Sequence, residues 1–209
     1  MEALTPSQLE ELFQTNVPSE FQSALVRMLF HSYANSWSTV RDQFDQALWE
    51  QAWGYQRWLQ VDSDLLSLAS RFSRAGAEGR CERNTPGTAM RHAEVQFDRV
   101  VITAACVRER GEYPREAKYR STLAVPNQGI LFGSYEREPA SPLYAIVLHV
   151  PDGTIRQPEH IDIAFPDGDG GFAGGLIPLL ERFPFSDATL GIDKEPKVTL
   201  RSAVRTGDS

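Results

Sequence analysis

The feature that most constrains this chain is a change of rhythm near residue 76. Before it, apolar side chains recur at the spacing of one face of an α-helix. Beyond a polar stretch that closes at Arg91, they are β-branched and come in short runs, the pattern of strands. Helices and strands kept apart in this way predict an α+β fold. The expected architecture is an N-terminal helical subdomain of three to four helices, then a mostly antiparallel sheet of five to six strands with one short helix. The matching division is a helical subdomain over 1–76, a connecting loop over 77–91, a β-rich domain over 92–205 and a frayed tail over 206–209.

Local signals place the elements. Thr5-Pro6-Ser7 is a helix start, a capping hydroxyl followed by proline at the first helical position. That helix is expected to reach about Thr15, and a second follows to about Asn35. A third is expected from about Thr39 to Gln60, and a fourth, capped by Asp62 or Ser63, ends near Gly76. Strands are expected over 94–107, 119–125, 130–135, 144–150, 161–165 and 197–204. A short helix over 176–183 is limited by Pro178, and Pro151-Asp152-Gly153 is turn chemistry joining two of the strands.

Composition narrows the function. The 209 residues carry 41% hydrophobic and 23% charged side chains, ordinary values for a packed chain, so wholesale disorder is not expected. A net charge of -7 argues against broad attachment to nucleic acid or anionic lipid. No apolar run approaches the length of a membrane span, and the start Met-Glu-Ala-Leu-Thr-Pro lacks a secretory signal's basic, apolar pattern. Cytoplasmic residence is therefore expected, a reducing setting in which Cys106 reads as a buried strand thiol and Cys81 lies in a polar loop, with their pairing left open.

The helical third carries the clearest functional signal. On the third expected helix, Phe44, Ala47, Leu48, Ala52, Tyr55, Trp58 and Leu59 fall on one face, which reads as the core stripe. Trp49 and Trp53 project off that stripe, one turn apart, and are the candidate anchors of a partner interface. This aromatic surplus, set beside the lack of a nucleophile turn or phosphate loop, points to a non-catalytic accessory or adaptor subunit. It would act through protein–protein contacts, in a heteromeric complex or a homo-oligomer.

Two enzymatic alternatives rest on spacing. His92 and Glu94 share a face of one strand, and His149 follows on another; two imidazoles and a carboxylate with open positions suit Fe(II). With Arg156 after them, the chain order resembles the pattern of 2-oxoglutarate-dependent oxygenases, with Glu94 where Asp is usual. That resemblance implies a role for Arg156 in holding the co-substrate carboxylate. Separately, Asp98 followed by Glu116-Ala117-Lys118 resembles the PD-(D/E)xK nucleases. There two carboxylates hold Mg²⁺ and the lysine steadies the attacking water. His160-Ile161-Asp162 repeats the first spacing, and Pro166–Gly175 is a glycine-rich loop expected to be flexible.

Overall fold

A computed structural model of the chain describes residues 5–84, 89–132, 142–152, 157–167 and 169–185. Helix α1 (Pro6–Asn16) starts as its sequence dictates: the Thr5 hydroxyl caps Gln8, and the Gln8 side chain reaches back to the Thr5 N–H at 2.8 Å. Helix α2 (Ser19–Gln43) runs on past Asn35, because Ser36 and Val40 are still buried in its last turns. The break comes at Phe44, where the Asp45 carboxylate accepts from the Ala47 N–H at 2.9 Å. The two helices expected over 39–60 and from 62 onward are one, α3 (Trp49–Arg71). Asp62 sits inside it and spends its side chain on a neighbouring strand instead of a cap. Gly76, at φ 89, ends the helical part in the left-handed region that glycine tolerates.

Six strands follow in one sheet: β1 (Ala77–Arg83), β2 (Arg91–Phe97), β3 (Val100–Cys106), β4 (Leu143–Pro151), β5 (Pro158–Ala164) and β6 (Ile177–Pro178). They lie in sequence order, and every neighbouring pair is antiparallel except β3 and β4. The α+β reading holds, with differences of detail. The stretch read as a loop contains β1, whose side chains beyond Ala77 are all exposed and so leave no apolar alternation to read. Gly79 lets this strand lie on α3, since a Cβ there would come 3.1 Å from the Ala69 Cβ. The strand expected over 94–107 is a hairpin, turned at Asp98, which holds a positive φ of 22.

The strands expected at 119–125 and 130–135 are replaced, as far as the description runs, by helix α4 (Lys118–Phe132). The physical reason is the parallel contact of β3 with β4, which needs a crossover passing over one face of the sheet. Asn127 pins that crossover: its Nδ2 donates to the Tyr144 and Pro166 carbonyls, and its Oδ1 accepts from the Tyr144 N–H, each at 2.8 Å. Replacing Asn127 with Ala leaves these three buried backbone groups unpaired. The expected loss is about 2–3 kcal/mol, read as a lowered urea midpoint; an unchanged midpoint would refute the staple. Helix α5 (Leu179–Arg182) follows Pro178 as expected, and the strand expected at 197–204 lies outside the described residues.

Helices and sheet share one core. Phe13, Phe21, Leu25, Leu29, Leu65 and Leu68 pack on the sheet face formed by Val95, Phe97, Ile102, Ala145, Val147 and Ile163. The opposite face, with Val101, Ala105, Tyr144, Ile146 and Leu148, is covered by Ala124 and Leu123 of α4. The result is three layers: α1–α3, the sheet, and α4. Among the described residues no helix is long and apolar enough to cross a membrane.

Candidate functional site: a buried arginine behind an open helix face

Helix α3 is turned around relative to the sequence expectation. Trp53, Arg57, Val61, Leu65 and Leu68 are its buried residues facing α2 and the core. The stripe read as core is instead open to solvent at Phe44, Leu48, Tyr55 and Leu59, with Tyr55 61% exposed. Trp53 is only 3% exposed and packs with Tyr33 and Val40, so it is not a surface anchor. Trp49 is half-buried against Trp37, and its indole N–H donates to the Phe44 carbonyl at 3.0 Å. The inversion has a local cause. Beyond Leu59 the same α3 face is covered by the sheet, since Leu66 and Ala69 lie under Gly79 of β1. The N-terminal half of the helix extends past that cover.

The proposed metal ligands do not converge. His92 lies on the α4 side, stacked on the Tyr119 ring with centroids 3.6 Å apart. Its Nε2 is 2.7 Å from Glu94 Oε1 and its Nδ1 is 2.9 Å from Asn84 Oδ1, so both nitrogens are engaged. His149 faces the other layer, where Nδ1 meets the Tyr33 hydroxyl at 2.7 Å. The sheet stands between the two imidazoles, and no metal-binding group of three or more His, Cys, Asp or Glu exists among the described residues. Arg156 lies outside them. The nuclease trio is also dispersed: Asp98 is in the turn where β3 begins, whereas Glu116 and Lys118 follow the strand's far end. His160 and Asp162 are divided as well, because Asp162 is taken by Arg110 through Nε at 3.1 Å and Nη2 at 2.9 Å. In the glycine-rich loop, Asp167 Oδ1 accepts from the Asp169 and Gly171 N–H groups, so its carboxylate closes its own turn.

What the fold does assemble was hidden in the sequence. The parallel register sets Cys106 of β3 beside His149 of β4. Tyr33 of α2 and Arg57 of α3 close over them. The Arg57 guanidinium lies 3.7 Å from the Trp53 ring centroid and 5.0 Å from that of Tyr33, and its Nη2 is 3.1 Å from Cys106 Sγ. Arg57 is 8% exposed, and its Nε and Nη1 have no hydrogen-bond partner. A guanidinium is charged at every ordinary pH, and a buried, unpaired charge costs several kcal/mol. Stacking on a desolvated ring returns about 2 kcal/mol, which does not offset it.

The surrounding groups are held in their uncharged forms. Burial and then the Arg57 charge push His149 down to about 3. Burial pushes the Tyr33 hydroxyl well above its usual range. Cys106 is exposed at the end of β3, yet its thiol turns back onto Arg57 and Tyr33. Loss of water there raises its pKa more than the guanidinium lowers it. A thiol kept protonated is a poor nucleophile. The i, i+4 pair Trp53–Arg57 was the one sequence signal for it, legible only once the inward face of α3 is known.

A second polar cluster lies where β2 has parted from β3, whose pairing is confined to Val95, Gln96 and Phe97. Asp62 of α3 accepts there from the Ala93 backbone, and burial raises its carboxyl to about 6 despite that bond and the nearby His92 and Arg120. Among its described, fully buried side-chain atoms, Arg120 Nε lacks a hydrogen-bond partner. Comparison with known proteins adds no relative: no family model, curated protein or solved structure matches this chain.

Proposed function

We propose that the protein is a non-catalytic accessory or adaptor subunit acting through protein–protein contacts, with the open face of α3 as its docking surface. The observation that carries this reading is the exposed stripe Leu48, Tyr55 and Leu59, on one face of the helix and extended by Phe44. Solvent-facing helices normally carry charge on their outer side. Here, between Glu50 and Asp62, the one charged side chain is Arg57, and it is buried. The exposed Gln51 and the half-buried Gln56 and Gln60 flank the apolar row. Apolar side chains with an uncharged, hydrogen-bonding rim are the composition of an interface centre.

The occupant that fits is an amphipathic helix of a partner protein. The stripe is straight, about 16 Å long at the helical rise, and its ridge spacing suits a second helix laid along it. With no charge to complement, such a partner would be selected by shape. The test is a photo-crosslinking residue at position 55 in the protein's own cells, alone and with Leu48→Asp plus Leu59→Asp. The expected result is one discrete adduct that the double substitution reduces by roughly tenfold or more, a loss of about 1.4 kcal/mol or more, while the circular dichroism spectrum is unchanged. An adduct of twice the chain mass would replace the partner helix by a second copy of this chain. A purified monomer that gives no stripe-dependent adduct would end the proposal.

A further inference from the structure

We propose that Arg57 anchors a binding site for a small monocarboxylate, beside the Cys106 thiol at the end of β3. The inference does not depend on the α3 docking face, because Arg57 and Trp53 point to the opposite side of that helix. Its first support is the guanidinium itself: more than nine-tenths buried, fixed over Trp53, with N–H groups on Nε and Nη1 that nothing in the described structure accepts. Among the described residues no carboxylate forms an ion pair with it. The Asp152 and Glu112 carboxylates lie near enough to influence Tyr33 and Cys106 respectively.

The second support is the charge of the whole cluster. With His149 neutral and the Tyr33 and Cys106 protons retained, the site carries one positive charge and a set of hydrogen-bond donors. One buried cation is neutralised by one monoanion, whereas a dianion such as phosphate at mildly alkaline pH, where the titration is run, would leave an uncompensated buried charge. A guanidinium offers planar donors that match a carboxylate. The same chemistry is presented by a free carboxylic acid and by the C-terminal carboxylate of a peptide.

The test uses the full chain, titrated at constant ionic strength and mildly alkaline pH with benzoate, with a short peptide ending in a free carboxylate, with that peptide amidated, and with inorganic phosphate. The expected result is a saturable change in tryptophan fluorescence and a rise in melting temperature with benzoate. Phosphate should bind at least tenfold more weakly. A tighter response to the free peptide that amidation removes would place the carboxylate on a protein; a response to benzoate alone would place it on a metabolite. Arg57→Met should remain folded and lose the response, and Arg57→Lys should recover part of it. If Arg57→Met does not fold, a second readout stands without it. In a Cys81→Ser chain, bound benzoate should slow the reaction of Cys106 with a disulfide reagent severalfold. The proposal is overturned if no carboxylate gives a saturable response, if phosphate binds as tightly, or if Arg57→Met responds as the parent chain does.

Discussion

Stability of the protein is expected to stay nearly level from about pH 6 down to about pH 4 and then to fall by about a further 1 kcal/mol as pH approaches 3. Two buried groups of opposite sign produce the plateau. His149, held at about 3 in the fold against 6.5 when unfolded, contributes stability that is complete above 6.5 and is lost as pH falls toward 3. At 1.36 kcal/mol per unit that loss totals about 5 kcal/mol. Asp62 is raised from 3.8 to about 6, so the folded state binds its proton more tightly than the unfolded chain does. Its contribution is complete below 3.8 and is lost as pH rises through 6, up to about 3 kcal/mol in total and less where water reaches the carboxylate. Where the two windows overlap, from 3.8 to about 6, the slopes cancel. Asp62→Asn removes one side of the balance, so the variant should lose stability from pH 6.5 downward with no plateau. It should also exceed the parent at pH 8. Urea midpoints across this range decide the matter: parallel profiles for the two proteins would show that Asp62 carries no such burden.

Phe21→Ala should cost about 3–5 kcal/mol, the range for deleting a fully buried aromatic ring. Phe21 is 0% exposed and stands where α2, α3 and β2 meet, edge-to-face with Phe72 at 5.4 Å and with Phe97 at 4.8 Å. Because those contacts join the helical layer to the sheet, the loss should appear as one cooperative transition shifted as a whole. Far-ultraviolet dichroism and a strand-side probe, such as protection of the Val95–Phe97 amides, should move together. A variant whose sheet keeps its midpoint while the helices loosen would mean two cores in place of one.

The division into helices and then strands was legible because periodicity survives in any context: α1–α3 and β2–β5 each carry an apolar rhythm of their own. Other elements are set by neighbours that a linear reading does not contain. The residues of α4 include Tyr119, Thr122, Val125 and Ile130, which fit a strand on propensity, but the crossover between two parallel strands demands a helix there. β1 shows no rhythm because one side chain of its seven is buried. The orientation of α3 was misread for a more instructive reason. Hydrophobicity ranks Leu48, Tyr55 and Leu59 as core and a face bearing Arg57 as outer, and the fold reverses both. The candidate site follows from that reversal together with the β3–β4 register, and neither is written in the spacing of Tyr33, Arg57, Cys106 and His149 along the chain.

The two borders of the sheet set how this molecule behaves in a crowded solution. β1 ends the sheet on one side with Glu78, Arg80, Glu82 and Arg83 all exposed, Arg80 held to Glu78 at 2.7 Å. On the other side β6 is two residues long, one of them a proline with no N–H to offer, and the chain turns at once into α5. An incoming strand meets either a row of alternating charges or almost no backbone to pair with. Extension of the sheet from chain to chain, the usual beginning of fibrous aggregates, is thus blocked at both of its described ends.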